Sequence, residues 1–173
     1  FKILFLFHLS SFAPQIATLS LNCDFKMQSF QIVGNVYVCD VRNSLTVLNQ
    51  DANVSISNGI HNEESTNNDV TGFSAKLKTI FYVPNGIDEI FPNLILLRLS
   101  QCKLKEIKVE NLRNFTNLKF LSLSNNDIEV LDIDLFKFNE NLEFISLRYN
   151  RIKHIDESAF SGIRNLQKLQ LQG

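Results

Sequence analysis

Leu94, Leu97 and Leu99 open a spacing that returns every 24 residues, as Leu118, Leu121 and Leu123, then Leu142, Ile145 and Leu147, then Leu166, Leu169 and Leu171. Three residues after the first three triplets stand Cys102, Asn126 and Asn150, and Leu104, Ile128 and Ile152 follow two positions later. Ile107, Leu131 and Ile155 share the next slot, and Phe136 and Phe160 a later one. A degenerate copy precedes them: Val70, Phe73 and Ala75, then Lys78, Ile80 and Val83. So many matched positions in one register predict a stack of structural repeats.

The physical reason for stacking is that one such unit cannot fold alone. Ordering a residue costs about 1.5 kcal/mol, whereas each buried apolar side chain returns only about 1.5–3 kcal/mol. Neighbouring coils supply the remainder by covering one another's apolar faces. The predicted fold is an α/β-type solenoid with a 24-residue period, a parallel β-sheet on its concave face and an irregular convex side. On each strand residues alternate, so Leu121 and Leu123 point inward while Phe120, Ser122 and Ser124 point out.

The slot of Cys102, Asn126 and Asn150 answers a hydrogen-bonding problem. Where the chain bends out of the strand, backbone groups face the interior without ladder partners. A side-chain amide supplies donors and an acceptor for its own coil and the next. Cys102 fits this slot as a small apolar residue with a weak donor, rather than as a reactive thiol. Lys78 in the same slot cannot accept a hydrogen bond, which makes the first copy atypical. Phe91, Phe115, Phe136 and Phe160 are read as packing of the return arm.

Ahead of the repeats, Cys23 and Cys39 stand in Leu21-Asn22-Cys23-Asp24-Phe25 and Val36-Tyr37-Val38-Cys39-Asp40-Val41. The second segment alternates as a strand does, and Gly34-Asn35 offers a turn before it. A first coil has no neighbour on its outer side, so a stapled β hairpin there would close the core. This predicts a Cys23–Cys39 disulfide. Thr46-Val47-Leu48 and Val54-Ser55-Ile56-Ser57 are candidates for short strands continuing the cap. The polar run from His61 to Asp69 reads as a solvated loop, with Glu63 and Glu64 simply hydrated.

Lys2, the apolar run Ile3–Phe7 and the small residues Ala13, Ala17, Thr18 and Ser20 follow the order of a secretory signal peptide. The expected organisation is therefore a signal peptide over 1–20, a cap and polar loop over 21–69, and repeats over 70–173. Cleavage is expected between Ala17 and Leu21. A start at Phe1 and a last copy stopping at Gly173 suggest part of a longer protein. In a secreted chain, Asn53-Val54-Ser55 and Asn114-Phe115-Thr116 are glycosylation sequons.

A formal charge of −1 with 20% charged residues gives no nucleic-acid footprint. His8, His61 and His154 are scattered, so no metal or cofactor site is expected. No phosphate loop, nucleophile elbow or zinc signature is present, and the reading is not an enzyme.

The stretch from Leu142 to Phe160 resembles, residue for residue, the "typical" extracellular leucine-rich repeat family. That group includes Toll-like receptor ectodomains, Slit-like proteins and secreted insect proteins, whose caps the Leu21–Cys39 segment also resembles. The resemblance implies an extracellular module, secreted or at the cell surface, that recognises a protein ligand. The alternatives are a membrane-anchored receptor ectodomain, which needs an anchor downstream, and an adhesive matrix protein.

Three outward columns would carry such recognition: Gly72, Leu96, Phe120, Phe144 and Lys168; Ser74, Arg98, Ser122, Ser146 and Gln170; Lys76, Ser100, Ser124, Arg148 and Gln172. Leu96, Phe120 and Phe144 form an expected exposed ridge, edged by Arg98 and Arg148 with Tyr149 just beyond. These six are the candidate partner-binding residues.

Overall fold

Parallel pairing of short strands at fixed register gives the chain its architecture. A computed structural model describes residues 18–62 and 64–173. The signal-peptide expectation lies almost wholly outside the described residues, as does Glu63; Thr18–Ser20 already belong to the first strand.

The cap comprises β1 (Thr18–Phe30), β2 (Gly34–Val41), β3 (Thr46–Val47) and β4 (Asn53–Asn58). The repeats contribute β5 (Gly72–Lys76), β6 (Thr79–Ile80), α1 (Ile87–Ile90), β7 (Leu96–Ser100) and α2 (Val109–Leu112). They continue through β8 (Phe120–Ser122), β9 (Val130–Leu131), β10 (Phe144–Ser146), β11 (His154–Ile155) and β12 (Lys168–Gln170). One eight-stranded sheet runs in the order β12-β10-β8-β7-β5-β2-β1-β4. Two small parallel pairs, β3 with β6 and β9 with β11, link the return arms.

The main core lies between this sheet and the return arms. Leu94, Leu97, Leu99, Leu118, Leu121, Leu123, Leu142, Ile145 and Leu147 are all buried in it. So are Val70, Phe73, Ala75, Ile80 and Val83 of the degenerate copy. On the return arm, Phe91 and Phe115 are buried, and the Phe136 and Phe160 rings stack 5.3 Å apart. Leu169 and Leu171 of the last strand region stay partly exposed.

β5, β7, β8 and β10 are each followed, within three residues, by the same backbone event. Leu77, Gln101, Asn125 and Tyr149, none of them glycine, take left-handed φ values of 58°, 57°, 58° and 56°. Such a conformation costs a non-glycine residue about 1–2 kcal/mol. It turns the chain sharply, and each of these residues donates its N–H to the adjacent coil, as Asn125 does to Arg148 O at 2.8 Å.

The cap extends the sheet rather than merely covering it. Cys23 and Cys39 are disulfide-bonded, with Cα atoms 5.0 Å apart. β1 runs antiparallel to β2 from Cys23 to Phe30, and its first residues pair parallel with β4. β2 then pairs parallel with β5, placing Val38 beside Gly72, Cys39 beside Phe73 and Asp40 beside Ser74.

The polar loop differs from the expectation of a freely hydrated segment. His61 stacks on Phe25 with ring centroids 3.9 Å apart. Tyr37 Oη lies 3.3 Å from His61 Nδ1 and accepts from the Asn62 N–H at 3.0 Å, while His61 Nε2 lies 2.9 Å from Asn67 Oδ1. The polar composition of 61–69 concealed this tether because its anchor, Phe25, belongs to the distant cap.

Candidate functional site

Strand register lines outward residues into columns across the sheet. Val38, Gly72, Leu96, Phe120, Phe144 and Lys168 are successive partners in one column. Asp40, Ser74, Arg98, Ser122, Ser146 and Gln170 form the next. The columns expected from the leucine spacing are therefore present, and β2 adds one further member to each of these two.

The expected ridge is corrected at one end. Leu96 is fully buried, not exposed. It packs with Val36 and Val38 in a second apolar cluster, with Phe30, Val33, Ile95 and Phe120 against it. The hairpin formed by β1 and β2 curls over the outward face of the sheet and seals Leu96. Gly72 permits the overlap, because a Cβ there would lie 2.7 Å from Val36 Cγ1 and 2.9 Å from Val38 Cγ2. Arg98 is also taken up by the hairpin. Its Nη2 donates to Gln28 Oε1 at 3.1 Å, and its guanidinium lies 5.1 Å from the Phe30 ring centroid. Burial holds the Arg98 pKa below its ordinary value, the nearby Asp40 partly opposing this.

Beyond the hairpin the face is open. Phe120 and Phe144 stack with centroids 4.4 Å apart and planes 10° from parallel, each partly exposed. Phe30 approaches Phe120 from the hairpin side at 5.5 Å. From the far side, Lys168 Nζ lies 6.0 Å from the Phe144 centroid. A cleft of 560 Å³ opens between the hairpin tip, at Gln31 and Ile32, and the Phe120–Phe144 pair, with Lys168 and Gln170 at its far wall.

Arg148 and Tyr149 stand in the third column and at the turn after it. The Arg148 guanidinium lies 5.2 Å from the Tyr149 ring centroid and donates through Nη2 to Tyr149 Oη at 3.3 Å. Tyr149 is 53% exposed. Between this pair and the phenylalanines runs a strip of small hydroxyls. Ser100, Ser122 and Ser146 are buried, with Ser122 Oγ 3.2 Å from Ser100 Oγ and Ser124 Oγ 2.7 Å from Ser146 Oγ.

The structure thus pairs Phe120 with Phe144, and separately Arg148 with Tyr149, and removes Leu96 and much of Arg98 from reach. Reading the sequence missed Phe30, Gln31 and Ile32 as walls of the site, and placed Lys168 in an outward column without counting it among the six candidates. One signal was available. β2 carries apolar residues on both faces, Val36 and Val38 opposite Tyr37, Cys39 and Val41, so both faces need cover.

Behind the site, the asparagine slot behaves as a two-coil connector. Asn126 Oδ1 accepts from the N–H groups of Cys102 and Leu104 at 2.9 and 3.0 Å, and Nδ2 donates to Leu99 O and Leu123 O at 2.7 and 2.8 Å. Asn150 repeats the donation to Leu123 O and Leu147 O and accepts from the Ile128 N–H. Cys102 keeps the donor half alone, with Sγ 3.4 Å from Ala75 O and 3.3 Å from Ser100 O. Burial pushes its thiol pKa up to about 11.

A second buried amide, Asn139, was not foreseen. It stands 24 positions after Phe115, where Nδ2 donates to Leu112 O and Phe115 O, each at 3.0 Å. Of the sequon residues, Asn53 is half-buried in β4, while Asn114 is exposed and donates from Nδ2 to Asp88 Oδ2 at 2.7 Å. Among the described residues, no group of three or more His, Cys, Asp or Glu is placed to hold a metal ion. None of their helices is long and apolar enough to cross a membrane.

Comparison with known proteins agrees with this geometry. Residues 116–173 match the leucine rich repeat family. No curated protein sequence matches the chain. Among solved structures, the chain is similar to one from the Toll–Spatzle complex, described as a molecular hub in Drosophila development and innate immunity. The TM-score is 0.56 at 18% sequence identity, and the match covers 69% of this chain and 16% of the other. Residues 116–173 thus match a leucine-rich repeat, and the chain resembles in fold part of a chain of the Toll–Spatzle complex.

Proposed function

We propose that this chain is an extracellular protein-recognition module, a 24-residue-period leucine-rich repeat solenoid that binds a protein through the concave face of its sheet, without catalysis. The observation that carries this reading is the stacked Phe120–Phe144 pair left open to solvent between the hairpin tip and Lys168. Two partly exposed aromatic rings, with the Arg148–Tyr149 pair two columns away, have the make-up of an interface centre, where aromatic residues and arginine concentrate. The Cys23–Cys39 disulfide suits an oxidising compartment. Exposed Asn114 is the better placed of the two sequons to carry a glycan.

The test is retention of extracellular proteins on the immobilised chain, compared with the Phe120→Ser/Phe144→Ser variant. Loss of a specific partner from the variant, with its circular dichroism unchanged, is the expected result. Equal retention by both would remove the outward face from the mechanism.

A second reading is a membrane-anchored receptor ectodomain, favoured by the likeness to a chain of the Toll–Spatzle complex. In the full coding sequence, a run of about 20 apolar residues after Gly173 would mark the receptor.

A further inference from the structure

We infer that the cleft under the hairpin tip takes an acidic peptide segment bearing an aromatic or aliphatic anchor; this rests on the proposed binding role of the outward face and adds its chemistry. Three basic side chains on the repeats find carboxylates one coil away. Arg151 pairs with Asp127 at 3.1 Å, Lys153 with Glu129 at 2.9 Å and Lys119 with Glu143 at 3.1 Å. Those of the outward columns do not. Lys76, Arg98, Arg148 and Lys168 take part in none of the ion pairs among the described residues. From β5 to β12 the three outward columns hold these four cations and no Asp or Glu.

The imbalance bears on the cleft itself. Lys168 lies on its wall, and Arg148 stands one coil back in the third column. Arg148 lies outside the cleft's lining, and its buried Nε has no hydrogen-bond partner. Arginine favours a carboxylate as its acceptor. The stacked rings of Phe120 and Phe144, with Ile32 above, supply the apolar seat for the anchor. Asp24 and Asp40 on the hairpin are balanced locally by two cations, Lys26, which reaches both at 2.8 Å, and Arg42, which pairs with Asp24.

Selection of a random dodecapeptide display library on the intact, disulfide-bonded chain tests this. The expected peptides carry Asp or Glu around a Phe, Tyr, Trp or Leu. As synthetic peptides they should bind roughly tenfold more weakly to Arg148→Gln/Lys168→Gln, and should weaken as salt rises, as exposed charge pairs do. Arg151→Gln, on a paired arginine outside the outward columns, should bind as the parent does. Neutral or basic peptides that still require Phe144 would overturn the acidic chemistry and leave the recognition face standing. Peptides indifferent to Phe144→Ser would overturn both. No enrichment at all would also overturn the proposal.

Discussion

Phe30 and Phe120, ninety positions apart in the chain, bring their rings to a centroid distance of 5.5 Å. This contact and the Gln28–Arg98 hydrogen bond hold the hairpin tip on the outward face. Phe30→Ala should therefore release the tip before it unfolds the chain. Hydrogen exchange of residues 28–34 should rise while that of β7 and β8 stays slow, with a stability loss of about 1 kcal/mol, since Phe30 is only half-buried. Uniformly faster exchange throughout the chain would argue against a separately docked tip.

Gly72 is the crossing point of hairpin and sheet. A methyl group there meets Val36 and Val38 at under 3 Å, so Gly72→Ala should destabilise by roughly 1–3 kcal/mol in chemical denaturation. Adding Val36→Ala should recover part of the loss. An indifferent Gly72→Ala would mean that the hairpin rides higher over the sheet than described.

How far the chain could be read without coordinates follows from where each contact partner lies. Leu97, Leu121 and Ile145 were legible as core because their neighbours repeat one coil away and enforce the same choice. The Cys23–Cys39 bond was legible from the need to close the first coil. Leu96 was not, since its cover arrives from Val36 and Val38, outside the repeat and in no register with it. His61 failed for the same reason, its partners Phe25 and Tyr37 being cap residues. Left-handed turns at Leu77, Gln101 and Tyr149 left no trace either, because glycine, the residue that signals them, is absent from those positions.

Asn126 satisfies four backbone groups in two coils. Asn126→Ala leaves two N–H donors and two carbonyls without it, and each unsatisfied buried group costs about 1–3 kcal/mol. The loss should reach roughly 3 kcal/mol or more, read as a lowered denaturation midpoint. Asn150→Ala, in a half-buried slot that water can enter, should lose less.

Cys102 provides a pH-dependent probe. Fully buried, with its thiol raised to about 11, it should resist a thiol reagent at pH 8 and react completely in denaturant. The sign for stability follows from the same shift. The unfolded thiol ionises from its ordinary value of 9.0 while the folded one waits until about 11, so its contribution to stability falls as pH rises between them. Cys102→Ala should flatten the denaturation midpoint across that window, and an unchanged slope would contradict the assignment.

Reduction of Cys23–Cys39 should weaken the cap selectively. A bond closing a loop of that size is worth about 3 kcal/mol. Cys23→Ser/Cys39→Ser should lower the denaturation midpoint accordingly, with early loss of the Phe25–His61 contact, readable as exchange at 59–69.

The hairpin also gives the sheet an origin. A surface repeated at a strand spacing of about 4.8 Å offers a ligand several equivalent seats, so a bound segment could slip sideways by one coil at little penalty. Val36, Val38 and Phe30 abolish that equivalence by filling one seat from within the molecule. Whatever lies on Phe120 and Phe144 abuts a fixed stop, and its position along the sheet is counted from there.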